Sequence, residues 1–269
     1  MVSLAVNSVL FRRFDFATAA RQIALAGYDG LEIAAIRGMC EHLPLENWRE
    51  RVAEYRSLME GEGLAWVAME VGSPDADRLH AAFDAANALG IPTITIGPGG
   101  KSDDVQEWPL LLERMQRLSE MAEQAGIHLA VKAHIGQSMY NTPTTLAVLN
   151  TVRSPRFGVD LDPSHLFRSQ EDPAQAAQAV MSRIHHVHIR DCKRGVAGPG
   201  PIWEQTSGRG DIDLFAFCQA LVRGDYQGSL TLEIIGAKDE ALSEVSMIAA
   251  ENRGYLHAVL RRLEQEGAR

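Results

Sequence analysis

Residues 157–165 read FGVDLDPSH, and their reading decides the fold. Phe157, Val159 and Leu161 alternate with Gly158 and Asp160, the period of a strand. Asp162-Pro163 then ends the run, and a strand-end Asp is as readily the cap of a following helix as a site residue. A strand running straight into a helix is one β–α unit. Similar strand endings appear in residues 184–191, IHHVHIRD, and in residues 228–234, GSLTLEI. Asp162, His188 and Glu233 therefore close three successive apolar runs.

Outward from these segments the alternation continues through the chain. Strands are expected at 3–7 (SLAVN), 29–33 (DGLEI), 64–70 (LAWVAME), 92–96 (PTITI), 127–133 (IHLAVKA), 157–161, 184–189 and 228–234. Apolar residues at helical spacing fall between them, clearest at Leu111, Leu112, Met115, Leu118 and Met121. Gly27, Gly63, Gly90 and Gly126 stand where helices end, and Asp103, Thr142 and Asp172 are expected N-caps. A final helix over 241–265 turns Leu256, Val259, Leu260 and Leu263 inward. Eight β–α units in about 250 residues is the size of an α/β protein with a single (β/α)8 TIM barrel. The expected domain spans 1–269. An open doubly wound sheet is the alternative, but no GxGxxG follows the first strand. The longest irregular stretch, 192–210, follows the seventh strand, and a loop of that length in a barrel is usually functional.

Composition narrows the function classes. A net charge of −9 with no block of Lys or Arg argues against nucleic-acid binding, which needs a basic face. No apolar run has the length of a membrane span, and the start lacks the pattern of a signal peptide. Three cysteines without metal-ligand spacing argue against a disulfide scaffold, so a reducing, cytoplasmic setting is expected. The expected partner is a small molecule. A homo-oligomer stays open.

Side-chain alternation shows which residues share the mouth. Lys132 and His134 lie on one face of the fifth strand, Asp160 and Asp162 on one face of the sixth. His186, His188 and Arg190 share a face of the seventh, and Thr231 and Glu233 of the eighth. Lys132, His134, Asp162, His188 and Glu233 therefore converge. Carboxylate and imidazole ligands in this mix suit Mn²⁺, Mg²⁺, Zn²⁺ or Co²⁺. A lone strand-end Asp is as readily a helix cap, and a lone His is more often structural than a ligand. Three together on consecutive strand ends favour a divalent metal. Glu32 and Glu70 contact substrate hydroxyls or cap the next helix. Arg190 and Arg209 are placed to bind a carboxylate or phosphate, or are solvated, and Trp203 lids the pocket or packs its loop.

The motifs DLDPSH, HVHIRD, SGRGDIDL and LTLE, in this order, resemble those of the xylose isomerase-like barrels, and YDGLEI and ITIGPGG extend the resemblance over nearly the whole chain. The resemblance implies Asp162, His188 and Glu233 as metal ligands and His165 as the histidine of a DxxH pair. It places Arg209 and Asp211 in a substrate segment. It implies isomerisation or epimerisation of a sugar or sugar phosphate by proton transfer beside a carbonyl. A dehydratase of a keto-polyol or dehydroshikimate-like acid is the alternative, as is a metal-free binding protein of the same fold. The family's glutamate ligand on strand five is replaced by Lys132, so one ligand is lost or passes to His134. Asp211-Ile212-Asp213 departs from the DxH of the nuclease branch. Glu233 is the expected base. Lys132 is open to three roles: a second base if its pKa falls, a Schiff-base amine, or an ammonium in the metal's place.

Overall fold

In the computed structural model, which describes residues 2–196 and 198–267, eight parallel strands close into a barrel. They are β1 (Ser3–Asn7), β2 (Gly30–Ile36), β3 (Ala65–Gly72), β4 (Thr93–Ile96), β5 (His128–Lys132), β6 (Phe157–Leu161), β7 (Ile184–Ile189) and β8 (Ser229–Leu232). Each pairs with the next in sequence, and β8 returns to β1 in the register Ser3↔Ser229 to Val6↔Leu232. The eight expected strands are thus the barrel staves. A two-residue segment, Cys40–Glu41, adds an antiparallel pairing to the end of β2 that the sequence pattern did not indicate. Within the long loop, Ala197 lies outside the described residues, as do Met1, Ala268 and Arg269.

The helices are α1 (Phe16–Leu25), α2 (Val52–Glu62), α3 (Ala76–Leu89), α4 (Glu107–Ala125), α5 (Thr142–Thr151), α6 (Pro163–Arg168), α7 (Pro173–Val180), α8 (Leu214–Arg223) and α9 (Leu242–Gly267). Asp172 caps α7 as expected, its carboxylate accepting from the Ala174 and Gln175 amides. Two other caps differ. Asn141 caps α5 in a reciprocal box with Thr144, which makes Thr142 the first helical residue. Asp103 sits at φ +62 and accepts the Tyr140 hydroxyl at 2.7 Å, so α4 starts four residues later, at Glu107. Asn and Asp compete for such turns because both bond their local backbone.

Outward-facing strand residues, among them Leu31, Ile33, Ile94, Leu129, Val131, Val187, Leu230 and Leu232, are buried beneath the helices. Each such side chain contributes roughly 1.5–3 kcal/mol relative to exposure. Leu256, Val259, Leu260 and Leu263 of α9 join the same core, as their spacing requires. Among the described residues no helix is long and apolar enough to cross a membrane. Cys40, Cys192 and Cys218 are buried free thiols.

Strand pairing breaks register at three places: between Leu31 and Glu32, between Glu70 and Gly72, and between Val159 and Asp160. Every break adjoins an acidic residue that points into the barrel. A β-bulge adds local twist and re-aims the side chains beside it. In the third, Ile184 and His186 pair with successive residues of β6, so His185 is the extra residue. Its ring leaves the mouth face and packs on His128 at the start of β5, with centroids 4.5 Å apart. Gly158 leaves it room, since a Cβ there would run into the His185 ring and the Arg183 carbonyl.

Gly158→Ala is therefore expected to lower folding stability by about 1–3 kcal/mol through overpacking. A urea midpoint equal to that of the native chain would show that the bulge does not depend on the glycine. Burial, aided by the neighbouring His128 and Arg183, pushes the His185 imidazole down to about 4. The unfolded histidine takes its proton near pH 6.5, its ordinary value in a solvated chain. Between those two pH values the unfolded chain binds the extra proton, so His185 makes stability fall as pH drops from 6.5 towards 4. His185→Gln is expected to flatten that part of the pH–stability curve, read from urea midpoints across the range.

Candidate active site

Each candidate side chain owes its position to the end of its strand. Asp162 follows β6 and caps α6, one oxygen accepting the Ser164 amide at 2.8 Å. Its other oxygen lies 3.1 Å from the Arg190 guanidinium. Cap and charged site are thus one residue. Arg190, just past β7, is 1% exposed and also donates to the Ser164 hydroxyl at 2.8 Å. His165 lies one turn along α6, where its Nδ1 accepts the Ile135 N–H at 3.2 Å. Its Nε2 lies 3.0 Å from the Arg190 guanidinium and 3.6 Å from Asp162. Burial first, then the Arg190 charge, holds His165 well below its usual pKa despite Asp162, and it is neutral. His134 packs on it with ring centroids 4.1 Å apart and contacts its neighbouring Ile135 carbonyl through Nδ1.

Lys132 ends β5 and reaches across the barrel. Its Nζ donates to Glu233 Oε1 at 2.8 Å and lies 3.7 Å from both Glu70 and Asp160. Burial opposes the ammonium, but Glu233, Glu70 and Asp160 outweigh it and raise the Lys132 pKa above its ordinary value. An amine free of its proton, acting as base or Schiff-base nucleophile, is therefore not what these surroundings provide. Burial likewise opposes the charge of Glu233, while Lys132, His188 and Arg190 hold it ionised, well below the usual carboxylate range. Glu70 behaves oppositely. Burial and the Glu233 charge push it up to about 8, against the pull of Lys132. Two carboxyls beside one ammonium thus differ in protonation.

Below this layer lies a second. Asn7 donates to Glu32 at 2.9 Å and to Glu70 at 2.6 Å, while Thr95 donates to Glu32 at 2.8 Å. His188 Nε2 contacts the same Glu32 from the far side of the barrel, and its Nδ1 is 2.8 Å from Asp160. Burial disfavours the imidazolium, but Asp160 and Glu32 raise the His188 pKa well above its normal value. His186 adds a ring nitrogen 3.4 Å from Glu32. Glu32 thus holds His188 from beneath rather than standing at the mouth.

Alternation puts Lys132, His134, Asp162, His188 and Glu233 at one mouth, and the structure gathers them there with His165 and Arg190. Arg209 does not join them. Its guanidinium makes two 2.7 Å bonds to Glu251 on α9 and lies over Trp203, about half-exposed. Trp203 packs against the core, so it holds the loop down. Asn7, Thr95, Asp160 and His186 were not named as site residues, although Asp160 and His186 share the parity of Asp162 and His188. The loop is fastened at two points. Asp191 accepts the amides of Cys192, Gly208 and Ile212, and Gln205 exchanges two bonds with the backbone of Ile235, just past β8.

Among the described residues, ligand-type atoms gather in two groups, Glu32/His186/His188 and Glu70/His188/Glu233, each within 4.8 Å. Asp162 and His134 belong to neither: Asp162 faces Arg190, and the His134 ring packs at a tilt of 40° against His165. The donor set fits a cation, and Lys132 already places one against two members of the second group. Asp160 Oδ2, Asp162 Oδ2, His186 Nε2, His188 Nδ1 and Glu233 Oε2 are buried without a hydrogen bond of good geometry. The His188–Asp160 contact is therefore an ion pair by distance but is badly angled for a hydrogen bond. Buried polar atoms without a good hydrogen bond are costly, and the carboxylate oxygens among them, although within ion-pair reach of Arg190 or His188, can still accept from the donors of a polar ligand.

The model of the xylose isomerase-like TIM barrel matches residues 20–256. An inosose dehydratase of Clostridium perfringens (strain 13 / Type A) is 22% identical over 267 residues, covering 87% of this chain and 86% of that protein. The uncharacterised YfiH of Bacillus subtilis (strain 168) is 30% identical over 149 residues, and the match spans 47% of its length. The crystal structure of a D-allulose 3-epimerase from Methylomonas sp. in complex with D-allulose superposes with a TM-score of 0.73 at 22% identity, covering 96% of each chain.

Truncating the buried guanidinium tests the electrostatic frame. Arg190→Met leaves Asp162 facing an apolar side chain and is expected to cost about 3–5 kcal/mol. Adding Asp162→Asn should recover part of that loss. Equal urea midpoints for native and Arg190→Met proteins would show that Asp162 is held by its other neighbours.

Proposed function

The chain belongs to the xylose isomerase-like TIM barrel family, and on that premise we propose that it catalyses proton transfer beside the carbonyl of a small polyhydroxylated substrate. The observation that carries this reading is the set of unsatisfied buried acceptors around the Lys132–Glu233 pair, which a hydroxyl-rich carbohydrate or keto-acid would satisfy. Glu233 is the base: ionised, at the end of β8, and with one oxygen that accepts no hydrogen bond. It takes the proton from the carbon next to the carbonyl. Glu70, on the other side of Lys132 and protonated at neutral pH, is the acid partner. Such divergent neighbours are how carboxyls divide acid and base work.

The His134 and His165 rings, packed at a tilt against each other, bind substrate oxygens at the rim. Asp162 and Arg190 fix the far wall, and His188, held by Glu32 and Asp160, the floor. In isomerisation or epimerisation the proton returns to a carbon. A dehydratase is the second reading, favoured by the inosose dehydratase likeness over most of the chain. The same first step then lets the carbonyl re-form and expels a β-hydroxyl, which leaves as water with a proton from Glu70. A divalent ion, where one is bound, would polarise the carbonyl, with Glu70, His188 and Glu233 as the residues to hold it.

Incubation with ketoses, inososes and keto-acids in deuterated water tests the reading. Deuterium is expected next to the carbonyl of at least one compound, with Glu233→Gln slowing uptake by about 10²–10⁴-fold. An isomeric sugar as product identifies the first reading, and an unsaturated product the second. No exchange across the panel by the folded native protein sinks both.

A further inference from the structure

Five carboxylates point into the barrel: Glu32, Glu70, Asp160, Asp162 and Glu233, all buried. The lower ones are met by donors or imidazole: Asn7, Thr95 and His188 serve Glu32, and His188 also serves Asp160. Asp162 is met by Arg190. At the upper layer the partner is Lys132, whose Nζ sits at the junction of Glu233 (2.8 Å), Glu70 (3.7 Å) and Asp160 (3.7 Å). These acids come from β8, β3 and β6, so one ammonium joins three separate staves. A divalent ion drawn to Glu70, His188 and Glu233 would have to share those carboxylates with a positive charge fixed among them, with Arg190 a further 3.8 Å from Glu233. Like charges at that separation repel strongly when buried. The site asks for a cation, and the chain supplies it.

We infer that the Lys132 ammonium occupies the metal's place in this barrel and is the group that binds the substrate carbonyl oxygen. The inference deepens the proton-transfer reading and rests on it. The carbonyl oxygen accepts a hydrogen bond from Nζ. As Glu233 removes the proton from the adjacent carbon, the C–H electron pair forms the new C=C bond. The C=O π pair moves onto oxygen, where the ammonium stabilises the enolate. When the Glu233 carboxyl returns the proton to the former carbonyl carbon, and the hydroxyl proton of the adjacent carbon passes to the enolate oxygen, the isomeric carbonyl compound forms and Glu233 is ionised again, with no oxidant or reductant. Lys132 keeps its proton throughout and acts as an electrophile, not as a base.

Metal content and exchange separate the possibilities. Native protein dialysed against Zn²⁺, Mn²⁺ or Co²⁺ and then buffer is expected to retain no stoichiometric ion, and its deuterium exchange to be unaffected by chelator. Lys132→Glu, which completes a four-carboxylate mouth with Glu70, Asp162 and Glu233, is expected to retain one divalent ion per chain. Lys132→Gln, checked for folding by circular dichroism and assayed with chelator present, should lose about 10²–10³-fold in exchange, the cost of removing one oxyanion donor. Native protein that retains one ion, and loses exchange when it is stripped, overturns the inference while leaving proton transfer intact. Lys132→Gln exchanging at the native rate overturns it as well. Absence of exchange in the native protein fails the underlying reading instead, and metal retention by native and Lys132→Glu proteins still reports separately on what fills the cation position.

Discussion

The rest of the molecule depends on the balance of buried charge inside the barrel. Barrel interiors are commonly filled by branched apolar side chains in layers. Here the inward positions include Asn7, Glu32, Glu70, Thr95, Lys132, Asp160, His186, His188 and Glu233, all buried. Taking ions out of water costs several kcal/mol each, on the order that only a well-placed opposite charge offsets. Lys132 and Arg190 therefore determine which carboxylates can stay ionised, and Glu70 keeps its proton because its neighbours leave it too little positive charge. The apolar shell between strands and helices supplies stability, while the polar interior determines which arrangement of side chains is tolerated.

Backbone irregularity makes that arrangement reachable. Regular parallel pairing would carry the alternation of side chains unbroken along each stave of the barrel. Register shifts beside Glu32, Glu70 and Asp160 instead adjust how far each carboxylate reaches inward. Their effect is to let residues from non-adjacent strands meet, as Glu32 of β2 meets His188 of β7.

Much of the fold was legible because strand and helix periods differ and the turn glycines punctuate them. Gly63, Gly90 and Gly126 all stand at left-handed helix ends, where expected. The mouth was legible for the same reason: parity brings Lys132, Asp162, His188 and Glu233 to one face without any tertiary information. What parity cannot convey is depth. Asp160 and His186 have the right face but lie two residues lower, and only the closed barrel shows them supporting His188. Protonation was equally hidden, since Lys132 keeps its charge only because Glu70, Asp160 and Glu233 arrive from other strands. Arg209 looked like a site residue from its motif, but Glu251, forty-two positions later, claims its guanidinium.

The fastening of the long loop has an evolutionary consequence. Gln205 ties the loop to the backbone immediately beyond Glu233, and Asp191 gathers amides from both of its ends. The loop is thus not an interchangeable module that could be transplanted between relatives to alter substrate choice. A graft lacking a glutamine at that point would release the strand end that carries Glu233.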